Sequence, residues 1–205
     1  MTVKKGEATR QRIIAEAAPI FNRRGFAGCS LQELMDATGL EKGGIYRHFE
    51  SKEELAVEAF RYAVAQSVKV RTDHLDTIPN AMDKLREMVR RFVETPSGVA
   101  GGCPLMNTAI DADDGNPVLR DLALQGIREW RERLAVIVRQ GVRRGEIRRG
   151  TQAKRVANTM IATLEGALMI SRLERTREAL KDARVALDSM LDQITEPQRR
   201  TVGKG

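Results

Sequence analysis

Apolar residues recur along this chain at spacings of three and four, the pattern of helices that turn one face to a core. Between Thr9 and Arg24, Ile13, Ile14, Ala17, Ala18 and Phe21 share a face, and Gly25 stands where such a helix ends. Pro19 lies inside this stretch. It cannot donate to the Ala15 carbonyl and its ring crowds that turn, so a kink is expected there. Ser30, followed three residues later by Glu33, reads as a capping box that starts a second helix, with Leu31, Leu34 and Met35 on its apolar side and Gly39 at its end. A short segment, 41–49, carries Ile45 and Phe49 on one side. Ser51 with Glu54 caps a long helix through Leu55, Phe60 and Val64 to about residue 77. The tight turn Thr38-Gly39-Leu40 between two short helices is the joint of a helix-turn-helix, with Gly39 free to take positive φ and Leu40 tucked between the helices.

The second half continues in the same period. Met82, Leu85, Met88, Val89 and Phe92 make 81–93 amphipathic, and a glycine-rich break follows at 97–102. A short helix is expected over 104–112. A long one begins at Pro117 and reaches residue 144. Gly145 and Gly150 bracket a turn, and two last helices are expected over 152–173 and 176–194. The fold class is therefore all-α. A three-helix N-terminal domain, 1–55, is joined by a long helix to a larger helical domain, 56–195, with a disordered tail, 196–205.

Composition agrees with helices. Hydrophobic residues make up 41% but aromatics only 4%, so the core is built from aliphatic side chains and Met. The formal net charge of +7 suits a polyanionic partner, nucleic acid or an acidic membrane surface. Two cysteines, Cys29 and Cys103, and two histidines, His48 and His74, form neither a disulfide framework nor a zinc pattern. The N-terminus lacks the apolar core of a signal peptide, and no apolar run is long enough to span a membrane, so a soluble, cytoplasmic protein is expected. No glycine-rich phosphate loop, no nucleophile paired with a histidine and no metal-spaced triad points to an enzyme, and no cofactor or metal is expected.

The chemistry that remains is DNA reading. A recognition helix presents a small, polar N-terminal face to the major groove. Lys42-Gly43-Gly44 has almost no bulk, and Lys42 can donate to guanine O6 or N7. Tyr46, Arg47 and His48 follow one turn later, within reach of phosphates. Lys52 opens the next helix, where backbone N–H groups favour an anion, and Ser30 can donate from its cap. Alone, Lys42 and Lys52 would be solvated lysines, Tyr46 a core tyrosine, and His48 a side chain packed on the first helix.

The stretch from Phe26 to Leu55 resembles the TetR family signature. The residues that carry the resemblance are the Ser30 cap, Ala37-Thr38-Gly39-Leu40, Lys42-Gly43-Gly44-Ile45-Tyr46-Arg47-His48-Phe49 and Lys52-Glu53-Glu54-Leu55. Pro19 and Cys29 depart from the family pattern outside the recognition helix. The resemblance implies that Lys42, Gly43 and Gly44 face bases, that Tyr46, His48 and Lys52 face phosphates, and that Arg47 sits at a variable exposed position. It implies a ligand-responsive transcriptional regulator, most often a repressor that a small-molecule inducer releases. An architectural DNA-binding role, which a minority of the family has, is the alternative.

Because one recognition helix reads only a few base pairs, a homodimer on a palindromic operator in double-stranded DNA is expected. The apolar stripes Ala153, Val156, Ala157, Met160, Ile161, Leu164, Ala167 and Leu168 on the first of the last two helices, and Leu180, Ala183, Leu187, Met190, Leu191 and Ile194 on the second, predict a four-helix interface that charges at Leu164 and Leu187 would break. The resemblance places a ligand pocket among the helices at 81–93, 104–112, 117–144 and 152–173, with Met88, Phe92, Cys103, Met106, Trp130, Leu134 and Met169 as candidate lining. Trp130 either lines that pocket or plugs the core. Cys103, between Gly102 and Pro104, is placed at a helix N-cap, either as a reactive thiol or as an inert packed one. Asp113 and Asp114 read as loop solvation and capping.

Overall fold

Caps and glycine stops cut the chain into nine helices and no strand among the residues described, 5–197, in a computed structural model. They are α1 (Lys5–Gly28), α2 (Leu31–Thr38), α3 (Lys42–Tyr46), α4 (Lys52–Thr72), α5 (Ala81–Glu94), α6 (Pro104–Ala112), α7 (Pro117–Arg144), α8 (Ala153–Glu174) and α9 (Glu178–Ile194). None is long and apolar enough to cross a membrane.

Local signals explain most boundaries. Ser30 and Glu33 form the reciprocal capping box expected of them, Gly39 closes α2 in the left-handed region, and the Ser51 hydroxyl accepts from Glu54 N–H at 3.0 Å. Pro19 lies within α1, and the residue that leaves helical φ/ψ is Gly25. The expected end of α4 near residue 77 is corrected. The helix stops at Thr72, because His74 takes a φ of 53°, and Leu75–Thr77 form a separate 3-10 turn. The expected tail also starts too early. Ile147 and Thr195 form a bridge, and Glu196 N–H donates to Glu146 O at 3.0 Å, so the chain is still tied down there. The rest of that tail, 198–205, lies outside the described residues.

Packing divides the chain into two compact units. One comprises the described residues up to Asp73 together with Thr95–Glu129. The other comprises His74–Glu94 together with the described residues from Trp130 onward. This runs differently from a division at residue 55, because α6 packs on α1 and α4. In the first unit, Ile13, Ala17, Leu34, Ile45, Phe49 and Leu55 share one core. In the second, α5, α8 and α9 pack together, and Met82, Leu85, Val89, Leu134, Met160, Leu164, Leu187 and Leu191 form the core. That placement corrects the interface expectation. Leu164 and Leu187 are 3% and 1% exposed and fill the interior of their own unit. The large apolar side chains these two helices leave exposed are Met169, Ile170, Leu173 and Val185.

Gly141 on α7 is a point of close approach. A Cβ there would stand 2.6 Å from Ile147 Cδ1 and 2.8 Å from Ala81 Cβ, and the second cannot rotate away. Gly to Ala in a helix ordinarily stabilises by about 1 kcal/mol, whereas overpacking costs about 1–3 kcal/mol. Gly141→Ala is therefore expected to lower the unfolding free energy, and a denaturant midpoint at or above wild type would contradict this.

On α5, Glu87 is held by Arg90 at 2.7 Å and Arg91 at 2.6 Å. The Arg90 hydrogen bond, reinforced by Arg91, pulls its carboxyl from 4.5 down to about 2. The folded-state value lies below the unfolded one, so the stabilisation is complete above about 4.5 and disappears as the pH falls toward 2. Denaturation of wild type and Glu87→Gln is expected to differ at pH 7 and to converge toward pH 2. A difference that stays constant with pH would refute the assignment.

Candidate nucleic-acid interface

Five residues are too few to hold a helix by themselves, so α3 must be fixed from outside. Ile45 does this. It is 1% exposed and lies in the core that contains Leu34 and Phe49. The turn before it is equally determined. Gly39 takes φ 63° and ψ 23°, and its N–H donates to Met35 O at 2.9 Å. Gly44 and Ile45 N–H both donate to Glu41 O, at 2.8 and 3.2 Å, which starts α3. Arg12 of α1 donates to Thr38 O at 2.9 Å and pins the end of α2. No periodicity signals that role of Arg12, because the two residues are far apart in sequence.

With Ile45 inward, Lys42, Gly43 and Arg47 are exposed, and Tyr46 and His48 are half-buried. The two glycines differ. A Cβ at Gly43 would meet nothing within 4 Å, while at Gly44 it would meet Leu40 Cβ at 3.4 Å. Gly43 leaves the outer surface bare; Gly44 lets α3 close onto Leu40. Lys42, Gly43 and Arg47 thus stand together on one outer surface that can approach base edges and phosphates.

Two of the expected contact residues also bond within the protein. The Ser30 hydroxyl accepts from Glu33 N–H at 3.2 Å and donates to Glu33 Oε2 at 3.0 Å. Lys52 Nζ donates to Phe26 O at 2.7 Å and lies 4.7 Å from the centre of the Phe26 ring. Its ammonium ties α4 to the end of α1, a role that spacing along α4 does not reveal. Lys52 is also a charge near Cys29, whose thiol is nevertheless pushed up in pKa, chiefly by burial. The same end of α1 is held by α6. Asp111 Oδ2 accepts from Phe26 N–H at 2.7 Å, and Asn107 Nδ2 donates to Asn22 O at 2.8 Å. Neither residue stood out in the sequence.

The candidate ligand residues are distributed over both units. Met88, Phe92, Trp130 and Leu134 belong to the second unit, where Phe92 and Trp130 stack with ring centres 5.8 Å apart. Met169 does not join them; it is 45% exposed on the outer side of α8, so its place in a pocket lining is corrected. Cys103 and Met106 lie in the first unit. Cys103 is the N-cap of α6 as expected, but it is 1% exposed, which removes the access that a reactive thiol needs. Asp113 is the C-cap of α6, and both Asp113 and Asp114 are exposed.

Residues 13–59 match the model of bacterial regulatory proteins of the tetR family, and residues 81–187 match that of the tetracyclin repressor-like C-terminal domain. A TetR transcriptional regulator from Chloroflexus aurantiacus superposes with a TM-score of 0.89 at 43% identity, covering 94% of this chain and 98% of that one. The HTH-type transcriptional repressor DhaR of a Mycobacterium species is 26% identical over 173 residues, 83% of this chain and 86% of that protein. A cysteine mutant of the TetR family regulator CifR, complexed with 26bp double-strand operator DNA, superposes with a TM-score of 0.75 at 25% identity, covering 90% of this chain and 95% of that one. With matched models at both ends and a helix-turn-helix whose second helix is anchored by Ile45, this chain belongs to the TetR family of transcriptional regulators.

Proposed function

We propose that the protein is a ligand-responsive repressor. It binds a palindromic operator in double-stranded DNA as a homodimer, through the outer face of α3, and a small-molecule inducer releases it. The observation that carries the reading is the bare surface at Lys42 and Gly43 on a helix anchored by Ile45. A backbone with no side chain at Gly43 lets Lys42 reach base edges in the major groove. Arg47 is exposed beside it for a phosphate, and half-buried Tyr46 and His48 lie next in line. The DhaR repressor and the operator complex of CifR support the same reading.

The second copy is assigned to the outer face of α8 and α9. Leu173 and Val185 are 77% and 70% exposed, and Met169 and Ile170 join them. Apolar side chains of this size left outside a packed helix pair fit a self-complementary contact about a two-fold axis. The inducer is assigned to the aliphatic and aromatic side chains around Trp130, the one tryptophan, with Met88, Phe92 and Leu134 beside it. It acts by binding the DNA-incompetent arrangement more tightly.

Selection of bound duplexes from a random pool tests the DNA assignment. Lys42→Ala is expected to cost about 1–3 kcal/mol of operator affinity and to relax base preference at one position per half-site. Unchanged affinity and selectivity would sink it.

Light scattering tests the subunit contact. Leu173→Glu with Val185→Glu is expected to give folded monomers that lose the operator. Leu187→Asp is expected to unfold the second unit instead, because its side chain is inside. A double variant that remains a dimer would place the contact elsewhere.

A further inference from the structure

The end of α1 contains a broken helical hydrogen bond whose two halves are both taken by α6. In an α-helix, Phe26 N–H would donate to Asn22 O. Gly25 takes φ 73° and ψ 176°, which turns the following peptide away from the helix axis and separates the pair. Each freed group then meets a side chain of α6. Phe26 N–H donates to Asp111 Oδ2 at 2.7 Å, and Asn22 O accepts from Asn107 Nδ2 at 2.8 Å. Asn107 and Asp111 are four residues apart, so they lie on one face of α6 and arrive together.

Everything around the break is shaped for it. A Cβ at Gly25 would collide with the Asp111 carboxylate, and positive φ disfavours any other residue there. Asn107 also donates to Asn22 Oδ1 at 2.9 Å and to Gly101 O at 2.8 Å. The Asn22 amide in turn donates to Ala100 O at 3.0 Å. On the other side of the same residue, Lys52 holds Phe26 O at 2.7 Å. Phe26 is therefore gripped by its N–H from α6 and by its carbonyl from α4. Four residues later the chain enters the Ser30 cap of α2.

We propose that Asn107 and Asp111 are positioning residues for DNA reading: they hold the α1 break open and so set the direction in which α2 and α3 leave α1. The inference rests on the DNA reading proposed above. Backbone groups need partners, and when the pair withdraws, the nearest partners are each other. Phe26 N–H and Asn22 O then restore the helical bond, Gly25 takes helical φ/ψ, and the segment leading to Ser30 departs at a different angle. The break thus has two discrete arrangements, and α6 selects between them.

The test has two readouts: backbone Cα chemical shifts of Gly25 and Phe26 in the free protein, and affinity for the duplex that wild type selects from a random pool. Asp111→Ala is expected to move both shifts toward helical values and to weaken binding about tenfold, at unchanged helical content. Asp111→Asn keeps an acceptor for Phe26 N–H and is expected to retain wild-type shifts and affinity. Gly25→Ala is expected to mimic Asp111→Ala, and the double variant to lose no more than either alone, because both act at one break. Unchanged shifts in Asp111→Ala, or equal losses in the Ala and Asn variants, would overturn the proposal. If wild type selects no sequence at all, the DNA reading fails, and the shifts still decide whether the pair holds the break.

Discussion

A helix of five residues exists in this protein because one of its side chains is buried. Ile45 commits α3 to the core of its unit, and with that side inward the opposite side must carry whatever α3 presents to the outside. The surrounding features serve the same constraint. Gly39 turns the chain so that Ile45 can reach Leu34 and Phe49, Gly44 lets the helix close on Leu40, and Arg12 fixes the end of α2. Lys42 and Gly43 owe their exposure to this anchoring, which sets a backbone at a fixed height above the core rather than leaving it on a pliable loop.

Around that anchor, polar side chains act as connectors. Backbone groups left over at helix ends require partners, and here several partners come from other helices. Lys52, Asp111 and Asn107 converge on the end of α1, with Phe26 held by its N–H and its carbonyl. Such contacts cost little apolar area and fix direction, since each bond constrains one peptide plane. This is why α6 packs with α1 and α4 although it follows them by many residues.

The second unit works by the opposite means. Its interior is mostly aliphatic, with the Phe92 and Trp130 stack packed against it, and Glu87 with Arg90 and Arg91 forms a partly buried ionic cluster on α5. Close packing there is tight enough that Gly141 has no room for a Cβ. The apolar residues that remain outside, Leu173 and Val185 foremost, are the ones the unit itself does not use.

Signals confined to a few neighbouring residues were legible from the chain alone. The capping box at Ser30 and Glu33, the stop at Gly39, Pro104 and Pro117 at helix starts, and the inward periodicity of Ile45 all follow from backbone bonds that close within four residues, whereas Gly25, expected to end α1, breaks it internally and α1 continues to Gly28. They determined the all-α class, the helix-turn-helix and the outer position of Lys42. Other features depended on which distant segments meet. Periodicity shows that Leu164 and Leu187 face something apolar but not whether it is their own unit or a second copy, and only the packing of α5, α8 and α9 placed them inside and Leu173 and Val185 outside. Likewise, spacing along α4 does not show that the lysine at its start is brought beside Phe26. Asn107 and Asp111 look like ordinary polar residues until the break at Gly25 supplies the two groups they hold. A side chain's bonding capacity is written in the sequence. Its partner is decided by tertiary structure, because separations such as that of Phe26 and Asp111 leave no periodic trace.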